Sequence, residues 1–158
     1  MPGTRPAVGC PFLSAAVKAN IDAYFALYGR NLISGIFLDE MASDTRQLEF
    51  YREIYNYIKG KDASLRVLGN PGMIPAEAFS SVADQLVTFE GTAAQYQNYD
   101  PRTNATWLYS LANTRQASLV HNADTCTAMQ AMVRAAASGR SAVAISGRRS
   151  SSMARLCA

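Results

Sequence analysis

The sequence predicts an α/β fold in which parallel strands are covered by helices. Short apolar runs recur along the chain, each finishing in polar residues, and stretches of helical spacing separate them. Strands divided by helices imply parallel pairing, because parallel neighbours need a crossover and the crossover helices then cover the sheet. Length and composition agree: 158 residues, 49% hydrophobic and 17% charged, suit one compact domain with a sizeable core.

Each element has its own signal. Val17, Ile21, Phe25 and Tyr28 fall at helical spacing, a helix of about three turns that Gly29 stops. The first strand is "GIFLDE" at 35–40. Ser43 or Asp44 caps the next helix, whose apolar stripe is Leu48, Tyr51, Tyr55 and Ile58, with Gly60 at its end. A second strand, "LRVLGN" at 65–70, runs into Pro71 and Gly72, and a short helix from Pro75 leads to "QLVTFEG" at 85–91. Residues 92–103 read as a polar connector, and a helix over 104–112 precedes the strand "SLVHN" at 118–122. Met129, Met132 and Val133 mark a last helix before a weak fifth strand, "SAVAIS".

Two closures suit this order, an open doubly wound sheet or a barrel of eight strands. In both, ligands gather at the carboxyl ends of the strands. Asp39 with Glu40, Asn70, Glu90, and His121 with Asn122 all fall there. Against an open nucleotide-binding sheet stands the first strand–helix turn, "DEMASD", which has no glycine-rich phosphate loop and would repel a phosphate.

Composition removes several classes of function. The net charge is only +3, and much of the basic excess lies in Arg140, Arg148, Arg149 and Arg155, so no basic face with interleaved aromatics points to nucleic acid. Cys10, Cys126 and Cys157 lack the paired spacing of a zinc or redox site and read as buried or incidental thiols. No metal cluster or nucleotide motif calls for a cofactor. No stretch is apolar enough to span a bilayer or act as a secretion signal, so the chain taken as it stands is expected in the cytoplasm.

Acid at the rim suits a neutral or cationic substrate. Two carboxylates on neighbouring strands can divide glycoside cleavage, one protonating the leaving oxygen while the other attacks or stabilises the anomeric carbon. Burial beside Phe37 or Phe89 is expected to favour the protonated form that a general acid needs.

The segments "GIFLDE", "YREIYNYIK", "VLGNPG", "LVTFE" and "LVHN" stand in an order and spacing that resembles the spherulation-specific family 4 proteins across residues 16–135. The resemblance implies a (β/α)8 barrel and a place with the glycoside hydrolases of family 135, which act on α-linked N-acetylgalactosamine in fungal exopolysaccharide. It implies an endo-acting, retaining hydrolase outside the cell or in the cell wall. Asp39 then matches the nucleophile, Glu90 the acid/base and Glu40 a supporting carboxylate, with Asn70 and His121 as substrate-binding candidates on the same rim.

A full barrel takes about 250 residues, against 158 here. The expected object is therefore a partial (β/α)8 TIM barrel, strands four to seven with "SAVAIS" as a weak eighth, in which the first strand has an unpaired edge. It divides into an atypical segment at 1–15, the barrel-like domain at 16–137 and a Ser/Arg-rich tail at 138–158. Its expected partner is a polysaccharide, which it would hydrolyse weakly or not at all. The alternative is a non-catalytic carbohydrate-binding or spore or cell-wall structural protein.

Plainer roles stand beside each of these. Asp39 and Glu40 could cap the following helix, Asn70 before Pro71 could make a turn, and His121 could be a satisfied hydrogen-bonding group. Tyr51, Tyr55 and Tyr57 suit packing better than a sugar platform, while Trp107 could serve the core or a sugar ring.

Overall fold

The structure, a computed structural model, describes residues 11–100, 105–136 and 142–145. Helix α1 (Pro11–Tyr28) precedes β1 (Gly35–Leu38), and α2 (Leu48–Lys61) leads to β2 (Arg66–Gly69). Then come β3 (Gln85–Thr92), α3 (Ala93–Gln97), β4 (Gln116–His121), α4 (Cys126–Ala135) and β5 (Ala142–Ile145). All four strand pairings are parallel, and the strands lie side by side in chain order, β1-β2-β3-β4-β5. The order never reverses, so these strands have no switch point of the kind that defines a doubly wound sheet.

Local chemistry accounts for the helix limits. Gly29 has φ 73° and its N–H returns to the Phe25 carbonyl at 2.9 Å, closing α1 with a left-handed residue. α1 begins at Pro11 and is longer than the expected three turns, because proline is tolerated in a first helical turn. It runs through position 15, where the atypical segment was expected to end. Asp44 Oδ1 accepts from the Arg46 N–H at 2.9 Å and caps a 3-10 turn, Thr45–Gln47, that feeds α2. Gly60 lies inside α2 rather than ending it; the helix gives way at Asp62, whose φ of −165° is extended.

Other expectations change. The helix anticipated from Pro75 is a 3-10 segment, Glu77–Ser81, and the one over 104–112 is a shorter 3-10 turn, Thr106–Tyr109. The connector at 92–103 contains α3, opened by a capping box in which Thr92 and Gln95 bond reciprocally. That signal is legible as Thr-x-x-Gln. Cys126 is disulfide-bonded, which corrects its reading as an incidental thiol. Apart from 142–145, the tail at 138–158 lies outside the described residues.

One face of the sheet meets the helices. Ile36 and Val67 pack with Ile21 of α1 and with Ile54 and Ile58 of α2. Leu86 packs with Tyr51, Phe79 and Val82, and Phe89 with Val120 against Tyr96 and Met132. α1 and α2 are also joined by polar pairs, with Ser14 and Lys18 both donating to Glu53 and Tyr57 to Asp22. On the opposite face Val87 and Ala117 are buried, Leu68 and Leu119 half-buried, and Phe37 on the edge strand is 47% exposed.

Candidate active site

The site grows from the place where β1 and β2 stop together. Leu38 is the register partner of Gly69, and continuing that register sets Asp39 beside Asn70. The backbone locks this arrangement, since the Asn70 N–H donates to the Leu38 carbonyl at 2.8 Å and the Met41 N–H donates to the Asn70 carbonyl at 2.9 Å. Gly69 lies beneath it, where a Cβ would press on the Met41 sulfur.

Asn70 is only 4% exposed, and its side chain organises the rim. Nδ2 donates to Asp39 Oδ1 and to Glu90 Oε2, each at 2.9 Å. Oδ1 accepts the Gly72 N–H at 3.0 Å. The two bonded carboxylate oxygens are therefore no farther apart than twice 2.9 Å, although they come from β1 and β3, which flank β2 and do not pair with each other.

Glu90 reaches this face through an irregularity. β3 pairs with β4 as Val87↔Ala117 and then Phe89↔Ser118, so Thr88 is one residue too many. A β-bulge of this kind reverses the alternation of side chains beyond it. Phe89 consequently packs among the helices with Tyr96 and Tyr99, while Glu90 turns to the face of Asn70. The Tyr99 hydroxyl donates to the Thr88 carbonyl at 3.1 Å and holds the bulge.

Glu40 joins the cluster through its backbone. Its φ is 52°, a left-handed conformation uncommon for a residue with a Cβ, and its N–H donates to Asp39 Oδ1 at 3.0 Å. Its side chain is exposed. His121 is exposed on the same rim, opposite Thr92 and two residues beyond Leu119, the register partner of Glu90; among the described residues no hydrogen bond ties it to the acids. Asn122 follows with φ 57°.

One expectation about surroundings is corrected. Asp39 and Glu90 are both exposed, so neither is buried beside Phe37 or Phe89; the bulge sends Phe89 to the other face. Trp107, open between the core and a sugar ring, is half-buried and packs on the cluster of Met41, Phe79 and Leu86. The tyrosines are structural: Tyr51 accepts the Ala42 N–H, Tyr55 donates to Asp84 and Tyr57 to Asp22.

Charge is handled differently at the other end of the strands. Asp84, just before β3, accepts from Lys59 at 2.6 Å, the Val67 N–H at 2.8 Å and the Tyr55 hydroxyl at 3.0 Å. Burial pushes its carboxyl up, but these three donors together hold it below the ordinary range. That acid is neutralised by a cation, whereas the rim acids share a neutral amide.

The profile of the spherulation-specific family 4 matches residues 11–152, nearly the whole chain. The chain belongs to this family. Spherulin-4 of Physarum polycephalum is 29% identical over 102 residues, which cover 65% of this chain and 29% of that protein. Among solved structures, the crystal structure of Aspergillus clavatus Sph3 in complex with GalNAc matches with a TM-score of 0.62 at 24% identity, over 84% of this chain and 57% of that one. The chain thus spans under a third of the first relative's length and somewhat over half of the second's. Likeness at that identity bears on fold, and it agrees with a family whose α/β architecture the strand order displays.

Proposed function

We propose that this family member is an endo-acting, retaining glycoside hydrolase for polysaccharide containing N-acetylgalactosamine, acting in the cell wall or outside the cell. The observation that carries the proposal is the meeting of Asp39 and Glu90 on one amide nitrogen. The two N–H bonds of a planar amide diverge by about 120°, which sets the bonded oxygens roughly 5 Å apart. Retaining glycosidases hold their carboxyl groups about 5–5.5 Å apart, and inverting ones about 6.5–9.5 Å.

The five strands are read as an arc of a (β/α)8 barrel. Their sequential order, the helices on one face and the likeness to Sph3 support this. In the proposed cycle Asp39 attacks the anomeric carbon while Glu90 protonates the departing glycosidic oxygen, leaving a glycosyl ester on Asp39. Glu90, now a carboxylate, takes a proton from water, which cleaves the ester and restores both acids. Glu40, exposed beside Asp39, is placed to receive sugar hydroxyls, and His121 is the candidate contact from β4. That Sph3 was crystallised with GalNAc favours this sugar over others.

The test is incubation with α-linked N-acetylgalactosamine polymer and, separately, with a mechanism-based inactivator of retaining enzymes, followed by peptide mass analysis. Product release and a covalent adduct on Asp39 support the proposal. Polymer binding with neither adduct nor product would favour a non-catalytic carbohydrate-binding protein.

A further inference from the structure

We propose that Asn70 is a positioning residue that spaces Asp39 and Glu90 and selects which of their oxygens react, rather than a ligand for the sugar. The inference rests on the reading of those acids as the reacting pair. A carboxamide has two N–H donors and one acceptor oxygen. Both donors are occupied, one by Asp39 and one by Glu90, and the oxygen receives the Gly72 N–H. With the residue 4% exposed, no donor is left to turn toward a hydroxyl of substrate.

The orientation of the amide is determined as well. A backbone N–H can only donate, so Oδ1 must face Gly72 and the NH2 group must face the acids. The sequence Asn70-Pro71-Gly72 builds this: Pro71 has no N–H, and Gly72, at φ 68°, is the first residue able to return one. A neutral donor suits the position. It gives each carboxylate a hydrogen bond and adds neither a cation that would neutralise them nor a third negative charge.

Reacting atoms follow from what remains. Asp39 Oδ1 already accepts from both Asn70 and the Glu40 N–H, which leaves Oδ2 as the attacking oxygen. Glu90 Oε2 is held by Asn70, which leaves Oε1 to carry the proton out and back. Asn70 can keep both contacts throughout the cycle, because the ester forms on Oδ2 and the proton moves on Oε1.

The test uses the full chain labelled with 15N, reading the two geminal protons of the Asn70 side chain. D39N is expected to move one of them and E90Q the other. Neither moving, or both responding only to the same substitution, would overturn the proposal. N70D, which keeps the shape and removes the donors, and N70S are expected to slow inactivator labelling about 10²-fold while affinity for an N-acetylgalactosamine oligomer stays within about twofold. Weakened sugar affinity with an unchanged labelling rate would instead make Asn70 a substrate ligand and overturn the proposal. If the wild-type chain never labels, yet the two protons respond separately, the hydrolase reading falls and the positioning of the pair stands.

Discussion

Asp39 and Glu90 belong to strands separated by a third, yet both accept a hydrogen bond of 2.9 Å from the same nitrogen of Asn70. Because both acids are exposed at a strand end, chemistry and stability separate there. E90Q is expected to lower turnover or inactivator labelling by about 10²–10⁴-fold, the ordinary contribution of a general acid, and D39N to abolish the adduct. Each should change the unfolding free energy by no more than about 0.5 kcal/mol. Urea melts beside labelling rates check this.

The bulge at Thr88 yields a second expectation. Deleting Thr88 removes the extra residue and leaves Val87, Phe89 and Glu90 in plain alternation opposite Ala117, Ser118 and Leu119, so the Glu90 side chain should stay on the Asn70 face and inactivator labelling should persist. The milder Y99F removes the hydroxyl that holds the Thr88 carbonyl and should cost about 1 kcal/mol. A Y99F protein as stable as the wild type would show that the bulge does not depend on that bond.

Gly35 tests the coupling of fold to site. A Cβ there would collide with the backbone carbonyl of Arg66, its register partner across β1 and β2. G35A is therefore expected to lose about 1–3 kcal/mol and to draw Asp39 away from Asn70, reducing labelling although no site residue has changed. Thermal melts with the same inactivator assay measure both effects.

Acid should unfold the protein through particular carboxylates. The Ser64 hydroxyl and N–H, with Arg30, hold the Asp62 carboxyl at about 2, and Lys59, Val67 and Tyr55 keep Asp84 low against its partial burial. Both folded values lie below the unfolded carboxylate value of about 3.9. Their stabilisation is thus fully present above about pH 4 and is lost as pH falls toward about 2. D62N and D84N should each flatten the fall in urea midpoint across that interval, and an unchanged slope in both would refute the assignment.

Much of this protein is legible in its residues taken one segment at a time. The five apolar runs are the five strands, and the stripes through Val17, Ile21 and Phe25 and through Tyr51 and Ile58 are the two long helices, because periodicity is a local record of which side meets the core. The rim acids were legible too, as carboxylates following strand residues. Which face Glu90 would occupy was not. Counting by twos from Leu86 sends it to the helices; only the extra residue accommodated between β3 and β4, held by Tyr99 from a later segment, brings it to Asn70. The engagement of both Asn70 donors and the left-handed turn at Glu40 likewise depend on partners distant in the chain or on the fit between strand ends. Strand position is a property of local pattern, whereas the aim of a side chain past a bulge is decided by the strand it pairs with, and that pairing exists only once the sheet has assembled.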